Sequence, residues 1–318
     1  MRLLTFNSHE AYIYDLARLG WPMDVVIDLG GHHHKDWDER MRPLPDNIRL
    51  CKLPELSLDA YDCVIAHNIT DLLATKTLRA ARVLTLHSSL HGRLSQEAAE
   101  LDASDVSEAV GGYLKRIGGQ AVIISEMKRA SWGIDAEVIT GAVDEKDYHG
   151  YQGSIESGLR VANHIHLKRR YLAWDLHEKV FTDLPCRLVG VNPEIPDTNP
   201  ASSWNQLKEL YRSHRFIVHT AAQGLEDGYN LALLEAMATG MPVITNDVSS
   251  SPVVHGESGF RSDDPEVLRD GVRRLLDSPD LAREMGAQAR STALRDFGMP
   301  TFVRRWRELI EATVRGRA

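Results

Sequence analysis

Cysteine is nearly absent. Cys51, Cys63 and Cys186 are the only three, with no CxxC or CxxH spacing among them. So odd and sparse a set fits a reducing cytoplasm better than a disulfide framework. No apolar stretch is long enough to span a bilayer, and the start "MRLLTFNSHE" lacks the apolar core of a signal peptide. A cytoplasmic protein is therefore expected. Basic excess is missing too: the net charge of −8 argues against nucleic acid as the main partner. No G-x-G-x-x-G follows the first apolar run, which removes support for a nicotinamide dehydrogenase. Neither G-x-x-x-x-G-K-[ST] nor G-x-S-x-G occurs, so the P-loop and hydrolase-elbow readings fall away. No self-similar repeat of fixed period is present.

What the chain does have is length and alternation. Its 318 residues suit two domains, each able to bury a core. Hydrophobic residues make up 43% and charged residues 26%, which excludes a disordered chain. The runs "LLTF", "DVVIDL", "YDCVIAH", "ARVLTLH", "QAVIIS" and "AEVITGAV" read as strands. Helical patterns separate them, the first being "EAYIYDLARLG", stopped by Gly20. Short Val- and Ile-rich runs alternating with helices indicate a parallel sheet covered on both faces. After the polar stretch "DEKDYHGYQGSIESG" a second series begins with "LRVAN", "CRLVGV", "RFIVHT" and "MPVITND".

The expected organisation is an α/β chain of two doubly wound, Rossmann-like domains facing across a cleft. Residues 1–146 form the N-terminal domain, 147–157 a linker and 158–299 the C-terminal domain. Residues 300–318 form a helix that crosses back to the N-terminal domain. In such sheets ligands sit beyond the carboxyl ends of the strands. The last helix, "PTFVRRWRELIEATV", stripes Phe302, Trp306, Leu309 and Thr313 at helical spacing. Its arginines read as a solvated face, with peripheral contact to an anionic membrane surface as the sharper alternative.

One segment, "LEDGYNLALLEAMATG" at 225–240, places a carboxylate where burial is expected. Asn230 is a good N-cap for a helix starting near Leu231, and Gly240 is its expected stop, with Pro242 just beyond. The helix is apolar nearly all round, so Glu235 is a carboxylate on a buried helix and needs donors. Sugar hydroxyls or a structural arginine would supply them. The first N–H groups of this helix, at Tyr229, Asn230 and Leu231, together with its dipole suit an anion such as a diphosphate.

These residues carry a resemblance. "DGYNLALLEAMATGMPVI" resembles the motif of two acids separated by seven residues in retaining glycosyltransferases of the GT-B fold, particularly family 4. "GESGFRSDDPEVLRDGVRRLLDSPDLAREMGAQAR" is similar to that family's tail, and "VITGAVDEKDY" to its segment before the second domain. The resemblance implies a nucleoside diphosphate sugar donor, a hydroxyl acceptor, and no metal or other cofactor. It implies that the first acid contacts the transferred sugar and the second the ribose. Counting back seven residues from Glu235 selects Asp227, not Glu226, so the first position is a shortened acid. Gly228, Tyr229, Asn230 and Leu231 then face the donor.

The family's diphosphate-binding Arg and Lys align with Asn163 and Lys168 in "RVANHIHLKRRYLAWD", with Arg169 alongside. The cationic role is therefore expected on Lys168 and Arg169. Of two histidines that follow strands, His67 and His87, the family's T-x-H pattern matches His87 and implies a place near the transferred sugar. Asn7, Ser8 and His9, after the first strand, are read as acceptor-side residues. "GGHHHKDWDER" combines His32, His33 and His34 with Asp36-x-Asp38. Consecutive histidines point in different directions and chelate one ion poorly, so no metal site is read there.

Two alternatives stay open: a nucleotide-sugar epimerase of the same fold, and a non-catalytic nucleotide-sugar binder. Closure of the two domains around the donor is expected. The nucleotide base, the sugar, the acceptor and the oligomeric state are not encoded in any pattern of the sequence.

Overall fold

Runs of β-branched and aliphatic residues bury themselves on both faces, and the first strands of the chain do so completely. In a computed structural model that describes residues 1–29, 35–57, 59–96 and 101–317, two compact units divide the chain. Met1–Thr140 with Pro300–Ala318 form one, and Gly141–Met299 the other.

The first unit is built from β1 (Leu3–Phe6), α1 (Glu10–Leu16), β2 (Met23–Val26), β3 (Ile48–Cys51), β4 (Cys63–Ala66) and α2 (Ile69–Ala74). Then come β5 (Ala81–Leu86), α3 (Leu90–Gln96), α4 (Ala103–Ile117), β6 (Gln120–Ile123), α5 (Glu126–Trp132) and β7 (Glu137–Val138). Its parallel sheet runs β3-β2-β1-β4-β5-β6-β7. Strands β1, β2, β4 and β5 are buried at every residue, the pattern of a sheet with helices on both faces. On one face Leu84, Leu86, Val110, Leu114 and Trp132 pack together; on the other, Leu4, Phe6, Val26, Val64 and Leu78 do. The chain winds outward from β1 to β3, then returns to place β4 on the other side of β1. The switch point therefore lies between the carboxyl ends of β1 and β4.

The second unit contains β8 (Ile155–Val161), α6 (Ile165–Lys168), α7 (Trp174–Val180), β9 (Cys186–Val189), α8 (Trp204–Ser213) and β10 (His214–His219). It continues with α9 (Leu231–Thr239), β11 (Val243–Thr245), β12 (Gly259–Arg261), α10 (Pro265–Asp277) and α11 (Pro279–Asp296). The parallel order is β12-β11-β10-β8-β9, with the switch point between β8 and β10. Phe216, Val218, Ile244, Phe260, Leu268 and Val272 form the core under α10. Asp264 and Ser278 cap α10 and α11 as the acid- and Ser-Pro starts predict: their side chains accept from the N–H groups of Glu266 and Leu281.

Residues 147–157 lie inside this second unit. The Tyr148 side chain is buried, the Tyr151 hydroxyl donates to the Arg215 carbonyl at 2.6 Å, and Ile155 already opens β8. The chain leaves the first unit after Thr140 and rejoins it at Pro300, within α12 (Met299–Arg317). The predicted stripe of that helix is its buried face. Phe302 and Trp306 meet Tyr12 of α1 edge-on, at ring-centroid distances of 5.6 and 6.5 Å. Each such aromatic contributes about 1.5–3 kcal/mol of apolar burial. Four arginines of α12 have partners on the protein. Arg304 pairs with Glu308, Arg305 with Glu137 and Arg315 with Glu311. Arg307 donates to the Leu19 carbonyl at 2.5 Å. Among the described residues no helix is long and apolar enough to cross a membrane.

Candidate active site

The carboxyl edge of each sheet gathers polar side chains, and the predicted residues lie on both edges. In the second unit, α9 starts and stops where its sequence directs. The Asn230 side chain accepts from the Leu233 N–H at 2.9 Å, and Gly240 closes the helix at φ 106°, a left-handed conformation natural to glycine. Glu235 lies one turn in and is only 6% exposed. Its Oε1 accepts from the Tyr148 hydroxyl at 2.7 Å and its Oε2 from the Tyr211 hydroxyl at 3.0 Å. Behind Tyr148, the Trp204 indole N–H donates to the tyrosine oxygen at 3.2 Å. Two tyrosines therefore do what the competing reading gave to an arginine.

Asp227 occupies the turn ahead of α9 and is 1% exposed. Its backbone carbonyl lies 3.3 Å from His219 Nε2, at the end of β10. The neighbouring Glu226 is a turn residue, its Oε1 accepting from the Asp227 N–H at 3.0 Å. Gly228 donates its N–H to the Ser250 hydroxyl at 2.9 Å. A Cβ on Gly228 would lie 2.7 Å from the Ser251 backbone, so this close approach admits only glycine. Tyr229 packs on Phe297 at 5.0 Å.

The residues after β8 are divided. The Asn163 carboxamide oxygen accepts from the Val191 N–H at 2.8 Å and so ties the loop after β8 to the loop after β9. Lys168 ends α6 with an exposed side chain and no ion pair among the described residues. Arg169 pairs with Asp175 at 2.6 Å and Glu178 at 2.5 Å, the acids of α7. The Glu178 bond raises the Arg169 guanidinium pKa further. His164 and Ala173 cap α6 and α7 in left-handed conformations without being glycine, at φ 55° and 42°. Each costs about 1 kcal/mol or more, strain of the kind that collects at sites.

Arg160, inside β8, escaped the sequence reading. It is buried, donating to the Thr220 hydroxyl and the Leu172 carbonyl, both at 2.9 Å, and lies 5.0 Å over the Trp174 ring. Burial pushes its pKa down to about 10. An arginine between Leu159 and Val161, in the buried end of the strand, was the available signal.

In the first unit the structure brings His9, His67 and His87 together at the switch point. His67 Nδ1 lies 2.9 Å from His87 Nε2, and the His9 ring is 4.2 Å from that of His87. His87 is held well below the usual imidazole pKa, first by burial, then by His9, His67 and the Lys128 ammonium. Lys128, buried in the first turn of α5, also escaped the sequence reading. Asn7 is buried, its carboxamide donating to the Asp36 carbonyl at 2.9 Å. The Ser8 hydroxyl approaches Asp71 at 3.4 Å, and the same carboxylate oxygen accepts from the His67 N–H at 3.1 Å. His32, His33 and His34 lie outside the described residues. Asp38 pairs with Arg40 at 2.8 Å, and no group of three metal-ligating side chains occurs among the described residues.

Comparison with known proteins defines the class. The chain matches HepE of Anabaena, solved in complex with UDP and glucose, at a TM-score of 0.72 and 13% identity, covering 98% of this chain and 99% of that one. Sucrose-phosphate synthase from Thermosynechococcus elongatus matches at a TM-score of 0.68 and 14% identity, covering 98% of both chains. The fold is GT-B, that of a large class of glycosyltransferases. Within it, residues 199–292, the segment holding β10, α9 and Glu235, match the family model described as "Glycosyl transferases group 1". The chain also resembles D-inositol 3-phosphate glycosyltransferase of Streptomyces griseus, 30% identical over 107 residues, which are 32% of this chain and 22% of that protein. Trehalose synthase of Pyrococcus horikoshii is 30% identical over 90 residues, 28% of this chain and 22% of that protein. The chain thus spans about a fifth of the length of these two relatives.

Proposed function

We propose that the chain is a retaining, metal-independent glycosyltransferase that moves a sugar from a nucleoside diphosphate sugar to an acceptor hydroxyl. The observation that carries this reading is the pair of buried acids at the carboxyl edge of the second sheet. Asp227 stands in the turn before α9 and Glu235 one turn inside it, in the segment that matches the glycosyl transferase family. A buried carboxylate is tolerated where hydroxyl groups satisfy it, and both tyrosines and sugars present hydroxyls. Glu235 takes the ribose through its carboxylate, beside the hydroxyls of Tyr148 and Tyr211. Asp227 orients the transferred sugar, and His87, at the edge of the first sheet, accepts from a ligand hydroxyl.

The leaving diphosphate needs positive charge. Lys168 and the first N–H groups of α9, at Tyr229, Asn230 and Leu231, supply it in the place of a metal ion, and the helix dipole adds to them. Retention follows if the acceptor attacks from the face the diphosphate leaves, with a phosphate oxygen taking the acceptor proton. No protein base is then assigned. The test is incubation of the purified protein with UDP-, GDP-, ADP- and dTDP-sugars, following bound ligand, released nucleotide and the anomeric configuration of the product. Release of nucleotide that depends on an added acceptor supports transfer. Tight donor binding without turnover on any acceptor makes the protein a binder, and turnover without an acceptor makes it an epimerase or hydrolase.

A further inference from the structure

With both imidazoles neutral, the hydrogen bonds behind His87 admit one arrangement of protons. The Thr5 hydroxyl lies 2.9 Å from the Ile65 carbonyl oxygen and 2.9 Å from His67 Nε2. A carbonyl has no hydrogen to give, and two bare oxygens at that separation repel, so the Thr5 proton lies toward Ile65. His67 Nε2 must then bring its own hydrogen and donate it to Thr5. A neutral His67 protonated on Nε2 has a bare Nδ1, and that atom is 2.9 Å from His87 Nε2. His87 therefore donates through Nε2, and its own Nδ1 carries no hydrogen. The reverse order would turn the Thr5 proton away from Ile65 and leave the two oxygens in unrelieved contact.

We propose that Thr5 and His67 are positioning residues that hold neutral His87 as an obligate hydrogen-bond acceptor, its Nδ1 lone pair offered to a hydroxyl of the ligand. Thr5 and His67 are buried, whereas His87 keeps some exposure, so the relay has a closed end and an open one. The Nδ1 of His87 makes no hydrogen bond to any described residue. The groups that face the ring are His9 and Tyr12 of the first loop and helix, His67 after β4, and Lys128 of α5. With His67 neutral, the charges that His9 and Lys128 can carry near neutral pH are positive, which opposes a second proton on His87. Burial acts in the same direction. The site therefore selects ligands that donate a hydroxyl at this point and disfavours those that present only an acceptor.

That the ligand is the sugar of a nucleotide sugar rests on the function proposed above; the relay itself does not. The whole protein labelled with 15N-histidine, its signals assigned with His67→Gln and His87→Gln, reports directly which ring nitrogen bears hydrogen. The expected result at pH 7 is Nε2–H on both His67 and His87. Thr5→Val removes the acceptor and should move both rings toward Nδ1–H, and Thr5→Ser should restore the original form. Nδ1–H on His87 in the parent protein, or spectra unchanged by Thr5→Val, overturns the proposal. If Thr5→Val does not fold, the parent spectrum alone decides. Addition of UDP-, GDP-, ADP- or dTDP-glucose should shift the His87 Nδ1 signal. A nucleotide sugar that binds without moving it overturns the assignment of His87 to a ligand hydroxyl. Correct tautomers with no binding of any of the four refute the donor reading and leave the relay standing.

Discussion

Replacing Glu235 with alanine acts on stability and ligand binding by separate routes. In the folded protein both carboxylate oxygens accept tyrosine hydroxyls, at 2.7 Å from Tyr148 and 3.0 Å from Tyr211. Truncation strands both hydroxyls in buried space, and each orphaned group costs about 1–3 kcal/mol. The fold should lose about 2–5 kcal/mol, a large part of the ~5–15 kcal/mol typical of a native protein. Tyr148→Phe and Tyr211→Phe each remove one donor and leave the carboxylate, so each should cost about 1 kcal/mol. Ligand binding is predicted to split differently. A ribose hydroxyl donating to a carboxylate is worth about 1.5–3 kcal/mol, which raises the Kd of free nucleoside diphosphate about 10- to 150-fold in Glu235→Ala. The two phenylalanine variants should not weaken nucleotide. Titration calorimetry with UDP, GDP and ADP, beside urea unfolding to confirm that each variant is folded, measures both effects. Unchanged nucleotide affinity in folded Glu235→Ala would mean that the carboxylate serves the tyrosines alone, and the ribose assignment would be wrong.

Asp227→Asn should lower turnover about 10- to 100-fold, or about 1.4–2.8 kcal/mol of barrier, and leave free nucleotide binding nearly unchanged; a fully active variant reduces Asp227 to a turn residue. Gly228→Ala forces a Cβ to within 2.7 Å of the Ser251 backbone, so thermal unfolding should show a loss of about 1–3 kcal/mol as the turn shifts. Asp24 provides a test of linkage. Burial alone would raise its pKa, but bonds from Arg49 and Tyr61 and the charge of Arg2 outweigh that and hold it below the ordinary carboxylate value. A depressed folded pKa gives stability that is present above the unfolded pKa and is lost as pH falls through the folded one. Asp24→Asn should therefore cost about 1–2 kcal/mol near neutral pH, since both arginines are partly exposed and screened, and flatten the acid limb of a stability–pH curve. An acid limb as steep as that of the parent would place the linkage elsewhere.

Most strands legible in the sequence are buried at every residue: β1, β2, β4, β5, β10 and β11 each form where their runs lie. β6 and β9 were legible too, although neither is buried at every residue. The two strands that were missed are short and at sheet edges. β3 reads "IRLC" and β12 "GFR", and in both an arginine faces outward, which breaks the run. β8 was read from Leu159, whereas it begins at Ile155, because Ile155 and Glu156 are exposed and Ser157 only half-buried. β7, expected within "AEVITGAV", is only two residues long. Helix ends fared better because caps are local: Asn230, Asp264 and Ser278 each bond to an N–H two or three residues away.

The candidate site divides along the same line between local and distant. Glu235 was conspicuous as an acid on an apolar helix, but its tyrosine partners lie 87 and 24 residues away in sequence, and only the folded second unit unites them. His67 and His87 could be named singly, because a parallel sheet delivers the residues after its strands to one edge. Their pairing depends on β4 lying beside β1 and β5, an order no local pattern states. Thr5 was invisible, since a β-branched residue within a strand needs no further reason. The cations show the converse. Alignment to a family pattern put Asn163, Lys168 and Arg169 together, yet each has a different fate. Asn163 ties two loops, and Arg169 is matched by two acids, leaving Lys168 as the cation with no ion pair among the described residues. Under the proposed function, position along the chain says where positive charge is wanted. Which side chain supplies it is decided by the carboxylates of α7, and those act only in three dimensions.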